Sequence, residues 1–103
     1  MNGPYSVVVA PAARAQASKI ADWWRAHRPS APDLFADELE AAFVRVAATP
    51  KSIRIYRESK GRFVRRLLLP RTSYHLFFEV NDQKRQVNVL AVWHTARGRD
   101  PRL

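Results

Sequence analysis

A chain of 103 residues with 47% hydrophobic and 26% charged side chains can fold as one domain around a single modest core, and is too apolar for a disordered tail. It has no Cys, which excludes disulfides and thiolate-bound zinc, and its three His (His27, His75 and His94) lack the spacing of a metal site. The formal charge of +9 is lopsided: residues 1–50 carry five basic and five acidic side chains, residues 51–103 thirteen basic and four acidic. Fourteen of the eighteen basic residues are Arg, whose planar fork suits phosphate and carboxylate. The second half is therefore expected to meet a polyanion or an acidic protein surface, the plainer alternative being a solvated surface that only keeps the protein soluble.

In chain order, residues 5–10 (YSVVVA) are a β-branched run and read as a strand. Pro11 suits the first turn of a helix that runs to about His27, with Ala13, Ala17, Ile20 and Trp24 on one face. Trp23 and Trp24 are adjacent, so one is expected in the core and the other at an edge or facing a partner. The segment Arg28-Pro29-Ser30-Ala31-Pro32 breaks that helix, and Ser30 with Asp33 resembles a capping box for a second. This second helix runs to about Ala48, burying Phe35, Leu39, Ala42, Phe43 and Val46, and the short join implies an antiparallel hairpin.

Residues 51–61 (KSIRIYRESKG) read as a polar loop with a small apolar centre at Ile53, Ile55 and Tyr56. Three strands follow at 63–69, 74–80 and 87–94, joined by turn-rich tetrapeptides short enough for hairpins. By alternation, Leu76, Phe78 and Val80 share one face with Tyr74, while His75, Phe77 and Glu79 share the other. In the last strand Val87, Val89, Ala91 and Trp93 are set against Asn88, Leu90, Val92 and His94. Neither face is wholly polar, so the helices are expected over one face and a basic tail, residues 95–103, or a partner over the other. The fold expected is a single α+β domain over 1–103: strand, helical hairpin and three-stranded meander in a four-stranded sheet.

At the N-terminus no basic run precedes a long apolar stretch, and no apolar run approaches the roughly 20 residues of a membrane span. The expectation is a cytoplasmic protein without membrane attachment, and no cofactor or metal is expected.

Several segments together resemble the RelE/ParE superfamily of type II toxins, and its ParE branch most. They are Ile20 with Trp23-Trp24, Arg28-Pro29 and Ala31 before Phe35 and Leu39, the strand Tyr74-His75-Leu76-Phe77-Phe78, and the ending Val89-Leu90-Ala91-Val92-Trp93-His94-Thr95-Ala96-Arg97. The resemblance implies a toxin neutralised by the C-terminal segment of a cognate antitoxin in a hetero-oligomer. Within the superfamily, the ParE branch inhibits DNA gyrase by binding and the RelE branch cleaves mRNA on the ribosome. A third possibility is a non-toxic chain that survives as an antitoxin-bound corepressor.

For gyrase contact the residues of choice are Trp93, His94, Arg97 and Arg99; for the antitoxin, Arg65, Arg66, Arg71, Phe77 and Trp23. A nuclease would have to draw on Arg71, His75, His94 and Arg97, His being an acid–base group suited to neutral pH. The RelE branch usually has Arg where His75 stands and a Tyr or His near the C-terminus, and this chain departs from both. His94 has a quieter role open to it, ordering the tail through a bond to a backbone carbonyl.

Overall fold

The computed structural model describes residues 4–103, so the first three residues of the expected domain, and the reading of the N-terminus that includes them, lie outside the described residues. Strand β1 (Ser6–Val9) leads directly into helix α1 (Pro11–His27), with Pro11 in the first turn as its fixed φ favours. Helix α2 (Leu34–Ala48) and a 3-10 turn (Pro50–Ser52) follow. Four strands complete the chain: β2 (Ile55–Ser59), β3 (Arg62–Leu69), β4 (Tyr74–Asn81) and β5 (Gln86–His94).

All five strands form one sheet in the order β1-β5-β4-β3-β2, with β1 parallel to β5 and the remaining neighbours antiparallel. The sheet therefore has five strands where four were expected, because residues 55–59 are not loop but an edge strand. Its residues are all exposed, so burial left no periodic trace in the sequence. The pairing is set by Lys60 and Gly61, a two-residue turn with positive φ at both positions (53° and 79°) that suits the twist of a hairpin.

The helices cover one face of the sheet. Ala13, Phe35, Leu39, Ala42 and Val46 join Leu67, Leu69, Leu76, Phe78, Val87, Val89 and Val92 in the main core, with Ala17, Ile20, Trp24 and Phe43 packed against it. Burying those aliphatic and aromatic side chains, each worth about 1.5–3 kcal/mol, is the main driving force for this layer. The expected capping box is not formed. Residues 28–34 make two successive turns (Ala31 N–H to the Arg28 carbonyl, Leu34 N–H to the Ala31 carbonyl), which delays α2 until Leu34 and leaves Asp33 at the cap without a side-chain cap bond. The Asp33 carboxylate instead accepts from Arg25 Nε at 3.3 Å.

The expected two-face alternation holds through β3 and β4 and breaks in β5. Phe77 pairs with Ala91 but Phe78 pairs with Val89, so Leu90 is an extra residue, a β-bulge. Before it Val87 and Val89 face the helices; beyond it Val92 does, while Ala91 and Trp93 join Val64, Phe77 and Leu90 in a second cluster on the opposite face. The uniform alternation expected for β5 is thereby corrected. Trp93 and His94 lie on opposite sides by ordinary alternation, and the bulge puts Trp93 on the side away from the helices.

Candidate functional site

Where α1 ends, its exposed side stands across from the β3–β4 turn and the end of β5, leaving a groove of about 610 Å³. Helical spacing brings Lys19, Ile20, Trp23, Trp24 and Arg28 to one wall, and Arg71, Tyr74, His94 and Arg97 are on the other. Trp24 packs on the main core while Trp23 is 42% exposed, dividing the two indoles as adjacency requires. The Trp23 ring stacks on His27 at 4.6 Å and carries the Arg28 guanidinium 5.0 Å from its centroid.

The opposite wall is held by a residue that the sequence pattern did not single out. The Glu38 carboxylate of α2 accepts from Arg71 N–H (2.7 Å), Thr72 N–H (3.0 Å) and Thr72 Oγ1 (2.7 Å), fastening the β3–β4 turn to the helical layer. Ser73 O accepts from Thr95 N–H, tying that turn to the start of the tail. His94 sits edge-on to Tyr74 at 4.9 Å, and its Nδ1 accepts from Ala96 N–H at 3.0 Å. His94 thus orders the tail as an acceptor of an amide, rather than as a donor to a carbonyl.

On the other face, the tail folds back over the sheet. Trp93 Nε1 donates to the Arg99 carbonyl at 2.8 Å, and the Arg97 guanidinium lies 4.1 Å from the Trp93 ring centroid, with Arg99 at 5.8 Å. Tyr56 donates its hydroxyl to the Asp100 carboxylate at 3.0 Å, and Arg57 approaches the same group at 3.5 Å. Pro101 is buried and Leu103 packs on the second cluster. Arg62 forks onto Glu79 at 2.8 and 2.9 Å and reaches the Leu103 carbonyl at 3.2 Å. Beneath the tail, Arg66 lies 3.8 Å from the Tyr56 ring centroid, and Tyr56 and His75 flank Phe77. Burial, reinforced by the Arg66 charge and only partly offset by Asp100, lowers the His75 pKa below its usual 6.5.

The four residues proposed from sequence for catalysis do not all converge. Arg71, His94 and Arg97 line the groove, whereas His75 lies beside Phe77 on the opposite face. Of those proposed for partners, Trp23 and Arg71 share the groove with His94 and Arg97, while Trp93 packs under the tail. Phe77 is 1% exposed and offers no surface. Arg65 donates to the Lys51 and Ile53 carbonyls and braces the 3-10 turn. Lys19, Arg28, Glu38 and Tyr56 were missed; for Lys19 the available signal was its helical spacing of four from Trp23.

A helix pair on one face of a mixed sheet, ending in a basic tail, is the architecture of the small toxins of the RelE/ParE superfamily. The chain superposes on a chain in the crystal structure of the RelBE2 toxin–antitoxin complex from Mycobacterium tuberculosis with a TM-score of 0.64 at 23% identity, covering 94% of this chain and 98% of that one. The isolated E. coli RelE toxin gives a TM-score of 0.59 at 19% identity, covering 91% and 87%. At that identity these likenesses speak for the fold. The ParE toxin family of type II toxin–antitoxin systems (parDE) matches residues 7–99, and this chain belongs to it. No curated protein sequence matches it. Among the described residues, no helix is long and apolar enough to cross a membrane.

Proposed function

We propose that this chain is a toxin that acts by binding DNA gyrase and is neutralised by a cognate acidic antitoxin in a hetero-oligomer. The family supports the class of activity. The observation that carries binding over cleavage is the occupied open face of the sheet. Tyr56 and Arg57 are engaged by Asp100, Trp93 by the Arg99 carbonyl and Arg62 by Glu79 and the Leu103 carbonyl. A nuclease needs an acid, a base and cationic stabilisers within hydrogen-bond reach of one phosphodiester. Here His75 is set apart from Arg71, His94 and Arg97, and Tyr56 and Trp93 on its own face are engaged by the chain's tail.

The exposed Arg97 and Arg99, backed by Trp93, are the proposed gyrase contact, and Trp23, Arg71 and the neighbouring groove the proposed antitoxin contact. Titrating purified gyrase with the toxin tests the first part: supercoiling should fall to zero near stoichiometric toxin, and recover when antitoxin is added. Uninhibited supercoiling in toxin excess, with cuts on translating ribosomes mapped by toeprinting, would transfer the protein to the mRNA-cleaving class.

A further inference from the structure

The basic groove contains four cations and no carboxylate. Lys19, Arg28, Arg71 and Arg97 line it, and no Asp or Glu does. Among the described residues none of the four makes an ion pair, whereas Arg25, Lys51, Arg57 and Arg62 all do. Two of the unpaired cations are set in place by aromatic rings. Arg28 lies against both Trp23 (5.0 Å) and Trp24 (5.8 Å), and Arg97 against Trp93 (4.1 Å). A guanidinium held against a ring loses rotamer freedom; Arg28 also gives an Nη1 N–H to the His27 carbonyl at 3.3 Å, and its remaining N–H groups, with those of Arg97, can meet a carboxylate. The same groove offers the apolar side chains of Ile20 and Tyr74.

We propose that this groove receives an acidic, amphipathic segment of the antitoxin, with carboxylates on Arg28 and Arg97 and an apolar side chain over Ile20 and Tyr74. The placement rests on the antitoxin partnership proposed above. A nucleic acid fits less well. Base binding uses bare aromatic faces, and here Trp23 is stacked on His27 with Arg28 5.0 Å from its centroid, while Trp93 carries Arg97. Carboxylates need only the N–H edges that the stacking leaves open. Complementary charge then supplies rate and register, and the apolar contact supplies residence time.

The test uses the full-length toxin and the purified product of the reading frame adjoining its own, with affinity read by calorimetry. Arg28→Glu and Arg97→Glu are compared with Arg54→Glu, which makes the same charge change at an exposed site outside the groove. Each groove variant should weaken binding about tenfold or more beyond the Arg54→Glu variant. Ile20→Lys should do likewise without removing a cation. Arg28→Gln serves in place of the charge reversal if that variant melts early.

Equal affinities for groove and control variants overturn the placement while leaving the partnership standing. Failure of the unaltered toxin to bind that protein overturns the partnership and the placement with it. A labelled single strand of about 20 nucleotides, whose binding falls in the groove variants while antitoxin binding does not, would assign the groove to nucleic acid instead.

Discussion

Replacing Glu38 by Ala should loosen the groove from behind, without touching any side chain that faces a partner. The carboxylate satisfies three donors of the β3–β4 turn, at 2.7, 3.0 and 2.7 Å. They are not equivalent. Arg71 is exposed, so water replaces the lost bond to its N–H at little cost. Thr72 is 5% exposed, and its amide and hydroxyl would both be stranded. A buried group left unsatisfied costs about 1–3 kcal/mol, so two put the Ala variant roughly 2–6 kcal/mol below the unaltered protein. For a domain of this size that is a fall of roughly 10–30 °C in Tm, against a total stability of about 5–15 kcal/mol. Glu38→Gln keeps one oxygen for the Thr72 donors and should lose only about 1 kcal/mol. Adding Thr72→Val to the Ala variant removes one stranded donor and should recover part of the loss. Thermal melts of the four proteins decide the matter. A Tm within about 2 °C of the unaltered protein for Glu38→Ala would show that the turn is held by packing, not by this carboxylate.

Other expectations follow from single contacts. Gln16 Oε1 accepts from the buried Val92 N–H at 2.8 Å, beyond the last residue of β5 that β1 pairs; Gln16→Leu should cost about 1–3 kcal/mol in a urea melt, and no change would mean the amide finds another acceptor. Asp100→Ala removes the carboxylate that holds Tyr56 and Arg57. These groups are largely exposed, so stability should change by only about 1 kcal/mol or less, but trypsin should cut after Arg97 and Arg99 faster, and an unchanged cutting rate would refute the clasp. His75 titrates below 6.5 in the folded chain, so the unfolded chain takes up the proton first as pH falls. Its contribution is complete above pH 6.5 and is lost below it. Between about pH 7.5 and about pH 5.5 the unaltered protein should therefore lose more Tm than His75→Gln, and parallel losses would remove His75 from the account.

The helices and their core were legible because burial writes itself as period: Ala13, Ala17, Ile20 and Trp24 repeat at helical spacing, and all pack on the main core. β3 and β4 were legible through alternation. What escaped has a physical reason in each case. β2 is exposed along its whole length, so its strand character lies in the Lys60–Gly61 backbone and not in any apolar pattern. The bulge at Leu90 shifts phase between apolar residues on both sides, and Val, Leu, Ala and Val carry no mark of which one is extra. Glu38 reads in sequence as one more charge on the exposed side of a helix, and its partners lie 33 and 34 residues away. Of the site, the aromatic and His components were visible, since Trp23, Arg71, His94 and Arg97 were all singled out. Their convergence depends on a turn position and a bulge that have no periodic signature.

The second half of the chain has four carboxylates, and three of them are spent around the sheet: Glu79 on Arg62, Asp82 on Lys51 and Asp100 on Arg57. Cations near those groups are partly neutralised, whereas Lys19, Arg28, Arg71 and Arg97 share one groove whose lining holds no Asp or Glu. Because Leu90 is an extra residue, Trp93 turns to the tail side and His94 to the helix side, and the chain leaves β5 at the boundary between the two surfaces. Arg97 lies on that boundary, stacked on Trp93 from one surface and lining the groove of the other. On the proposed reading, a carboxylate that takes Arg97 in the groove withdraws it from the tail surface offered to gyrase. An antitoxin segment in the groove then neutralises the toxin through a shared residue, without having to cover the whole tail.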